Sequence, residues 1–258
     1  NVKGVLGGQF SGILDWDSNS SAAGAQTRDN DIWTLGGRQA GKLAGFDYRG
    51  EAYYQWGNGN GQKDGNITTD ADREAYMFGL RVGRTFNDVS FKPGVTVWYD
   101  YLSGTNDEDQ RNGDWSSFNT LFDTGHKFYG LQDLFLGVGG GGNTGTQGLG
   151  LQDLALKTKI NPMPGWTLKV DYHWFWTAEG VAANTTTRSF ANTTRAGDEA
   201  LDNDLGTEID ITAVTKMNAN TKVMIGYSHY DATDTFFELK NAGPAVAEIG
   251  RASCRERV

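Results

Sequence analysis

The connections between the period-two segments of this chain limit its fold most strongly, because long and short connections alternate strictly. Nine segments alternate apolar and polar residues, and in Phe46–Trp56 the residues Phe46, Tyr48, Tyr54 and Trp56 share one face. The short connections lie near Lys42, Asn87, Pro164 and Ala219, and the long ones begin near Asp17, Gly57, Ser103 and Gly180. This alternation places every long connection at one end of an up-and-down antiparallel sheet, as in outer-membrane barrels. A soluble sandwich with Greek-key connections would not keep it over nine strands.

The two faces of these segments also differ in composition. One face is apolar and carries aromatic residues near the strand ends, such as Trp56, Tyr101, Trp166 and Trp176, where barrels place their interfacial girdles. The other face is charged. No run of roughly 18 apolar residues occurs, but a barrel needs an apolar residue only at alternate positions. The sequence therefore predicts an all-β, up-and-down antiparallel transmembrane β-barrel.

The last eleven residues read differently from the rest of the chain. Residues 248–258, EIGRASCRERV, resemble the read-through translation of a common sequencing adapter. We interpret them as a non-native scar, and residues 1–247 as a partial outer-membrane β-barrel. Cys254 is the single cysteine of the chain. On this interpretation the natural part has no disulfide, no thiolate nucleophile and no cysteine metal ligand.

One long connection is rich in aromatic residues. Its centre, Phe118–Phe135, reads FNTLFDTGHKFYGLQDLF and contains one of the three histidines. Loops of this length and apolar content are usually functional or packed against the fold. The alternation of connections places it on the extracellular side, and we expect it to fold into or over the lumen and narrow the pore. The expected gating residues are Phe118, Phe122, His126, Lys127, Phe128 and Tyr129.

This segment also carries a family resemblance. Preceded by VTVWYDYLSGTND and followed by GLQDLALK, it resembles the alginate export family of bacterial outer-membrane porins, over about Val95–Lys157. The chain has TLFD at Thr120–Asp123, where proline is common in the family. Family barrels are closed, so the resemblance implies a fragment, an incomplete barrel with about nine of roughly eighteen strands. The signal peptide would then be absent from this fragment.

The resemblance implies passive export of alginate, which carries one carboxylate per sugar, through a charged lumen of the outer membrane. It also implies the lipid bilayer as surroundings and periplasmic export machinery as a partner, with no nucleic acid. Arg can bind carboxylates bidentately, while Lys acts as a point charge. By alternation, the candidate lumen cations are Arg38, Arg49, Arg81, Lys92, Lys157, Lys159 and Lys169. Acidic residues share that face, so an alternative is that these charges only pair with one another across strands.

Other chemistry has weak support in the sequence. His126, His173 and His229 lie far apart without metal-ligand spacing, and no Ser–His pair stands out. We therefore predict no catalytic residue, no metal site and no cofactor. The open alternatives are a general or other-substrate porin, an outer-membrane barrel enzyme and a secreted soluble carbohydrate-binding β-protein.

Overall fold

The chain folds into one antiparallel β-sheet in which each strand pairs with its neighbours in sequence. The computed structural model describes residues 2–21, 28–63, 66–112, 114–120, 128–135, 145–146, 148–180, 202–218, 220–240 and 253–257. The eleven strands are β1 Val2–Val5, β2 Gly8–Ser21, β3 Arg28–Leu43, β4 Phe46–Lys63, β5 Asn66–Thr85, β6 Gly94–Leu102, β7 Leu151–Ile160, β8 Trp166–Trp176, β9 Asp204–Lys216, β10 Lys222–Ala232 and β11 Ser253–Arg257. Two short helices are described, α1 Asp107–Asn112 and α2 Asp234–Lys240.

The strand order confirms the predicted fold class, an up-and-down antiparallel sheet of an incomplete barrel. Among the described strands, β1 and β11 stand at the two edges and do not pair with each other, so the sheet is open. No helix in the described ranges is long and apolar enough to cross a membrane.

The burial pattern of the sheet is the reverse of that in a soluble β-sandwich. Leu80, Val97 and Ile225 are 54%, 51% and 55% exposed on one face, whereas Asp100 and Glu208 are fully buried on the other. A sandwich would bury its apolar face against a second sheet. An outward apolar face and a polar interior are instead what a sheet in lipid requires.

Aromatic side chains mark one boundary of the apolar face. Trp16, Trp33 and Trp56 stack in a row across β2, β3 and β4, with ring centroids 5.8 and 6.5 Å apart. Tyr76 and Tyr101 stack in the same way on β5 and β6, at 5.7 Å. Rows of this kind lie at the interface between lipid and water, where an apolar ring with a polar edge is favourable.

The prediction of two long loops is wrong, because in the structure the strands continue through most of these residues. Strands β2 and β3 extend into the predicted loop Asp17–Asn30, and β4 and β5 into the predicted loop Gly57–Asp72. Backbone ladders continue whatever the polarity of the side chains, so composition alone could not show where pairing ends. Strands β4 and β5 have 18 and 20 residues. Since about 9–11 residues span a membrane, these strands project beyond it. They project at the end where the remaining long connections lie.

Two segment boundaries also differ from the prediction. The first predicted segment is divided by a turn at Leu6 and Gly7, which have φ of 47° and 71°. The strand expected from Val89 begins only at Gly94, because Pro93 has no N–H to donate to a ladder. Residues 86–93 form a turn instead, closed by the Phe86 N–H bond to the Pro93 carbonyl at 2.8 Å.

Strand β11 falls within the segment interpreted as a scar. It pairs with the free edge of β10. Since a free edge offers unpaired backbone groups to any extended chain, the non-native origin of residues 248–258 stays a prediction.

The burial pattern gives a first prediction. Leu80→Arg places a charge in the middle of the apolar face and should lower the free energy of unfolding by about 2–4 kcal/mol. Leu43→Arg is the matched control, because Leu43 lies on the same face at the end of β3 and should cost only about 0–1 kcal/mol there. Urea unfolding of the complete channel from lipid vesicles measures both, and equal costs would contradict a membrane-facing surface.

Candidate functional site

The connection between β6 and β7 packs back onto one face of the sheet. We call this face the loop face, and the opposite, apolar one the outer face. The loop face carries the buried side chains of Gln55, Arg81, Asp100, His173 and Glu208. These polar residues are buried because the connection covers them, so the loop and the face beneath it form the candidate site.

One side of the loop is held by a buried glutamine of β4. Gln55 Nε2 donates to the carbonyl of Asn119 at 2.8 Å, and the Asn119 N–H donates to Gln55 Oε1 at 2.8 Å. Gln55 also donates to Thr34 Oγ1 of β3. A single side chain thus satisfies both backbone groups of Asn119, which would otherwise be costly to bury.

The carboxyl group of Glu208, on β9, is a second anchor of the loop. Glu208 Oε1 accepts hydrogen bonds from the N–H groups of Leu131 and Gln132, at 2.7 and 3.1 Å, and from Ser228 Oγ at 2.9 Å. Gly130 has φ of +81°, and a Cβ there would lie 2.5 Å from the Glu208 carboxyl oxygens. This close approach of backbone to carboxyl group therefore requires glycine.

Aromatic contacts complete the packing of the loop. Phe135 is 1% exposed, and its ring centroid lies 4.6 Å from that of Phe175 in β8 and 6.2 Å from that of Phe236 in α2. Phe128 meets the Trp98 ring of β6 edge-on at 5.8 Å. With the Gln55 and Glu208 bonds, these contacts place the described parts of the loop, residues 114–120 and 128–135, on the face between β4 and β10.

A network of ion pairs runs across β4, β5 and β6 beneath the loop. Glu51 accepts from Arg49 Nη2 at 2.7 Å and lies 3.1 Å from Arg81 Nη1. Arg81 Nη2 lies 3.1 Å from Asp100 Oδ2, which also accepts from Trp98 Nε1–H at 2.8 Å. The Arg81 guanidinium stacks 3.5 Å above the Trp98 ring. Buried charges need such partners, since an unpaired one would be strongly destabilising.

The network continues on β7 and β8. His173 Nδ1 lies 2.9 Å from Asp153 Oδ1, and Nε2 lies 3.0 Å from Lys157 Nζ, which is 3.3 Å from Asp171. Because an ammonium group only donates, the contact with Lys157 suits the tautomer in which Nε2 accepts and Nδ1–H donates to Asp153. Asp153 of β7 lies directly opposite Asp100 of β6, so the network on β4 to β6 and the one on β7 and β8 are adjacent. We call the whole set from Arg49 to Asp171 the charge belt.

Tyr129 belongs to the loop and lies next to the charge belt. Burial raises the pKa of the Tyr129 phenol well above its ordinary value, and the nearby charges of Asp100 and Asp153 raise it further. The phenol therefore stays protonated and can serve as a hydrogen-bond donor.

The structure divides the predicted lumen cations into two groups. Arg49, Arg81 and Lys157 lie on the loop face within the charge belt, each in an ion pair. The other cations are Arg38, Lys92, Lys159 and Lys169, which are exposed and have no ion pair with a described residue. Lys92 lies in the turn 86–93 rather than in a strand, while the remaining three are on the loop face.

Some expected gating residues lie within the described loop and some outside it. Phe118, Phe128 and Tyr129 pack at the loop face. The expected gating residues that fall outside the described residues are Phe122, His126 and Lys127.

The sequence prediction missed the residues that anchor the loop, Gln55, Gly130 and Glu208. The alternation pattern put Gln55 and Glu208 on the charged face, but it could not show that a distant loop returns to them. In the described part of the chain, no three His, Cys, Asp or Glu residues are grouped to hold a metal ion.

The chain was also compared with known proteins. A protein-family model described as alginate export matches residues 13–248, which run from within β2 to beyond β10 and include the whole loop. No curated protein matches the chain significantly.

The Glu208 contact gives a second prediction. Glu208→Ala removes the acceptor of the Gln132 N–H and the nearer of two acceptors of the Leu131 N–H, which also donates to Asp210 Oδ2 at 3.2 Å. A buried N–H that loses its acceptor costs about 1–3 kcal/mol. Hydrogen exchange of the Gln132 amide should therefore become about tenfold faster or more, and that of the Leu131 amide should rise less. Glu74→Ala is the matched control, since the Glu74 carboxylate accepts from Tyr54 on the outer face, away from Leu131 and Gln132, and the substitution keeps the backbone bond from Glu74 to Trp115. Unchanged protection in Glu208→Ala would contradict the anchoring role.

Proposed function

This chain belongs to the alginate export family of bacterial outer-membrane proteins, and from that premise we propose a passive export channel for an anionic, alginate-like polysaccharide, gated by the loop 118–135. The family consists of polysaccharide transport channels of the outer membrane and not of enzymes. The gate, the charged lumen and contact with periplasmic export machinery are the finer parts of this proposal.

The anchoring of the loop carries the proposal. Gln55 on β4 and Glu208 on β9 hold the loop backbone from strands far apart in the sheet. A loop stretched between such anchors occupies the interior that a barrel would otherwise leave open. It is held by a few hydrogen bonds, each worth about 1 kcal/mol net, and by aromatic contacts at its ends. Such a segment can therefore move aside without disturbing the strand ladders.

The charges of the loop face support an anionic substrate in a specific way. The charge belt contains three cations, and its carboxyl groups, on Glu51, Asp100, Asp153 and Asp171, outnumber them. The cations of the belt are therefore neutralised by carboxyl groups of the belt. This is what the alternative in which these charges only pair with one another across strands would give for the belt residues. Attraction for a polyuronate rests on the cations without a described ion pair, Arg38, Lys159 and Lys169 among them.

The excess of carboxyl groups in the charge belt also favours a second candidate, a general or other-substrate porin. If the belt sets the field at the narrowest point, small cations rather than anions would pass preferentially. The two candidates therefore differ in the sign of their ion selectivity.

Selectivity gives a third prediction. The complete channel in planar bilayers should prefer anions, and oligouronates should interrupt its current. Reversal potentials in a salt gradient and blockade counts measure the two properties. A neutral oligosaccharide of the same length is the control and should leave the current unchanged. Cation preference with no effect of uronates would support the general porin instead.

The gating loop gives a fourth prediction. Deletion of Gly113–Gly145 should raise the single-channel conductance severalfold, because the loop would no longer fill the interior. Deletion of residues 181–201, in the other long connection on the same side, is the matched control and should change conductance little. Heat-modifiable migration in gels shows that each barrel has folded, and unchanged conductance in the folded loop deletion would refute the gating role.

A further inference from the structure

A second cationic feature lies on the loop face at the end opposite the loop. There a cavity of about 810 Å³ is lined by residues of the turns after β5 and β7 and of strands β8, β9 and β10. Among the described residues, four lysines line it, Lys92, Lys169, Lys216 and Lys222, and no acidic residue does. By the alternation of connections, this end faces the periplasm.

The strand register puts lysines directly opposite one another at this end. Lys159 of β7 faces Lys169 of β8, and Lys216 of β9 faces Lys222 of β10. Like charges in directly opposed positions destabilise a sheet. All four side chains are exposed, and none has an ion pair with a described residue. We call these four residues the lysine cluster.

The sheet does supply counter-charges elsewhere at the same end. Lys42, in the last residues of β3, forms an ion pair with Asp47 of β4 at 2.6 Å. Two residues before Lys159, Lys157 has Asp171 directly opposite. Directly opposed like charges also occur under the loop, as between Arg49 and Arg81 and between Asp100 and Asp153, but each of these residues is close to a partner of another kind. The lysine cluster has no such partner among the described residues, and its two uncompensated pairs side by side point to an external anion that neutralises them.

The spacing of the cluster suits a chain of carboxylates. It has one lysine on each of four consecutive strands, and neighbouring strands lie about 4.8 Å apart. Lys169 is opposite Thr212, four positions from Lys216, so the second pair lies about 13 Å nearer the turns. The two pairs form steps that lead from the turn end towards the charge belt. A polymer with one carboxylate per sugar could engage both pairs at once.

We propose that the lysine cluster is the entry site of the channel, where successive carboxylates of a polyuronate bind before the chain passes beneath the loop. This inference rests on the proposed export function and adds the place and direction of substrate capture. Lysine suits the role, because a hydrated point charge on a flexible stem exchanges one carboxylate for the next more readily than a bidentate arginine. The cluster is on the loop face, away from the apolar outer face, so phosphate groups of lipids are not its natural ligands.

The test uses the complete channel in bilayers of zwitterionic lipid, with a purified oligouronate added to one side at a time. In the wild type, current blockades should begin more often from the short-turn side than from the loop side. Replacing all four lysines (K159Q, K169Q, K216Q, K222Q) should lower the blockade rate from the short-turn side about tenfold at low salt and leave the other side unchanged. The quadruple arginine variant keeps the charge and should keep the wild-type rate.

Matched controls separate binding from folding. Lys42→Gln removes a lysine at the same end that already has a partner, and it should not change the blockade rate. The quadruple glutamine variant should unfold at the wild-type temperature or above it, because it relieves repulsion between like charges. A lower unfolding temperature would show that the lysines stabilise the fold, and it would overturn the proposal.

The remaining outcomes distinguish the entry site from the export function. A wild-type rate in the folded glutamine variant overturns the entry site while export of an anionic chain stands. Absence of uronate blockades from both sides in the wild type overturns the export function and the entry site with it. If the quadruple variant does not insert, K216Q with K222Q is measured instead, and an unchanged rate there overturns the proposal equally.

Discussion

The pairing of charges on a face that is covered by the chain itself is the constraint on which the rest of the structure depends. Arg81 lies between Glu51 and Asp100 with 6% of its surface exposed, and His173 lies fully buried between Asp153 and Lys157. Removing one partner of a buried pair costs several kcal/mol, because it leaves a charge without compensation. The charges of the belt must therefore largely neutralise one another. This requirement, rather than any substrate, explains which charged residues the belt contains.

The loop depends on the same face. Its backbone leaves the strand ladders at Leu102, so each buried N–H and carbonyl needs another partner. Gln55 and Glu208 supply such partners from strands that already have their own hydrogen bonds. Near its start, Trp115 of the loop pairs with the backbone of β5. The described part of residues 118–135 is held instead by a few side chains of the sheet and by Phe135. If this loop is the proposed gate, it would move by breaking these contacts, and the hydrogen bonds between strands would stay intact.

Period-two alternation predicted the strand identities, the two faces and the end from which long connections emerge. It did not predict the lengths of β4 and β5, because backbone pairing continues through the polar residues 57–63 and 66–72. It placed Lys92 in a strand, but Pro93 ends the ladder before that residue is reached. The loop anchors were not predictable in the same way, since Glu208 and Leu131 are 77 positions apart and only the folded chain brings them together.

Lys157 and Lys159 show how much the register decides beyond the pattern. They have the same charge, lie on the same strand and face the same side. Lys157 is opposite Asp171 and joins the charge belt, whereas Lys159 is opposite Lys169 and has no ion pair with a described residue. A cation that is already neutralised by its neighbour contributes little to attracting a polyanion, and one that is repelled by its neighbour contributes most. At the proposed entry site, attraction for substrate would therefore concentrate at the turn end, where the opposed lysines lie, while the belt under the loop presents a nearly neutralised surface. A polyanion that is drawn in at one end and held weakly further along can continue to move, which is what export through a passive channel requires.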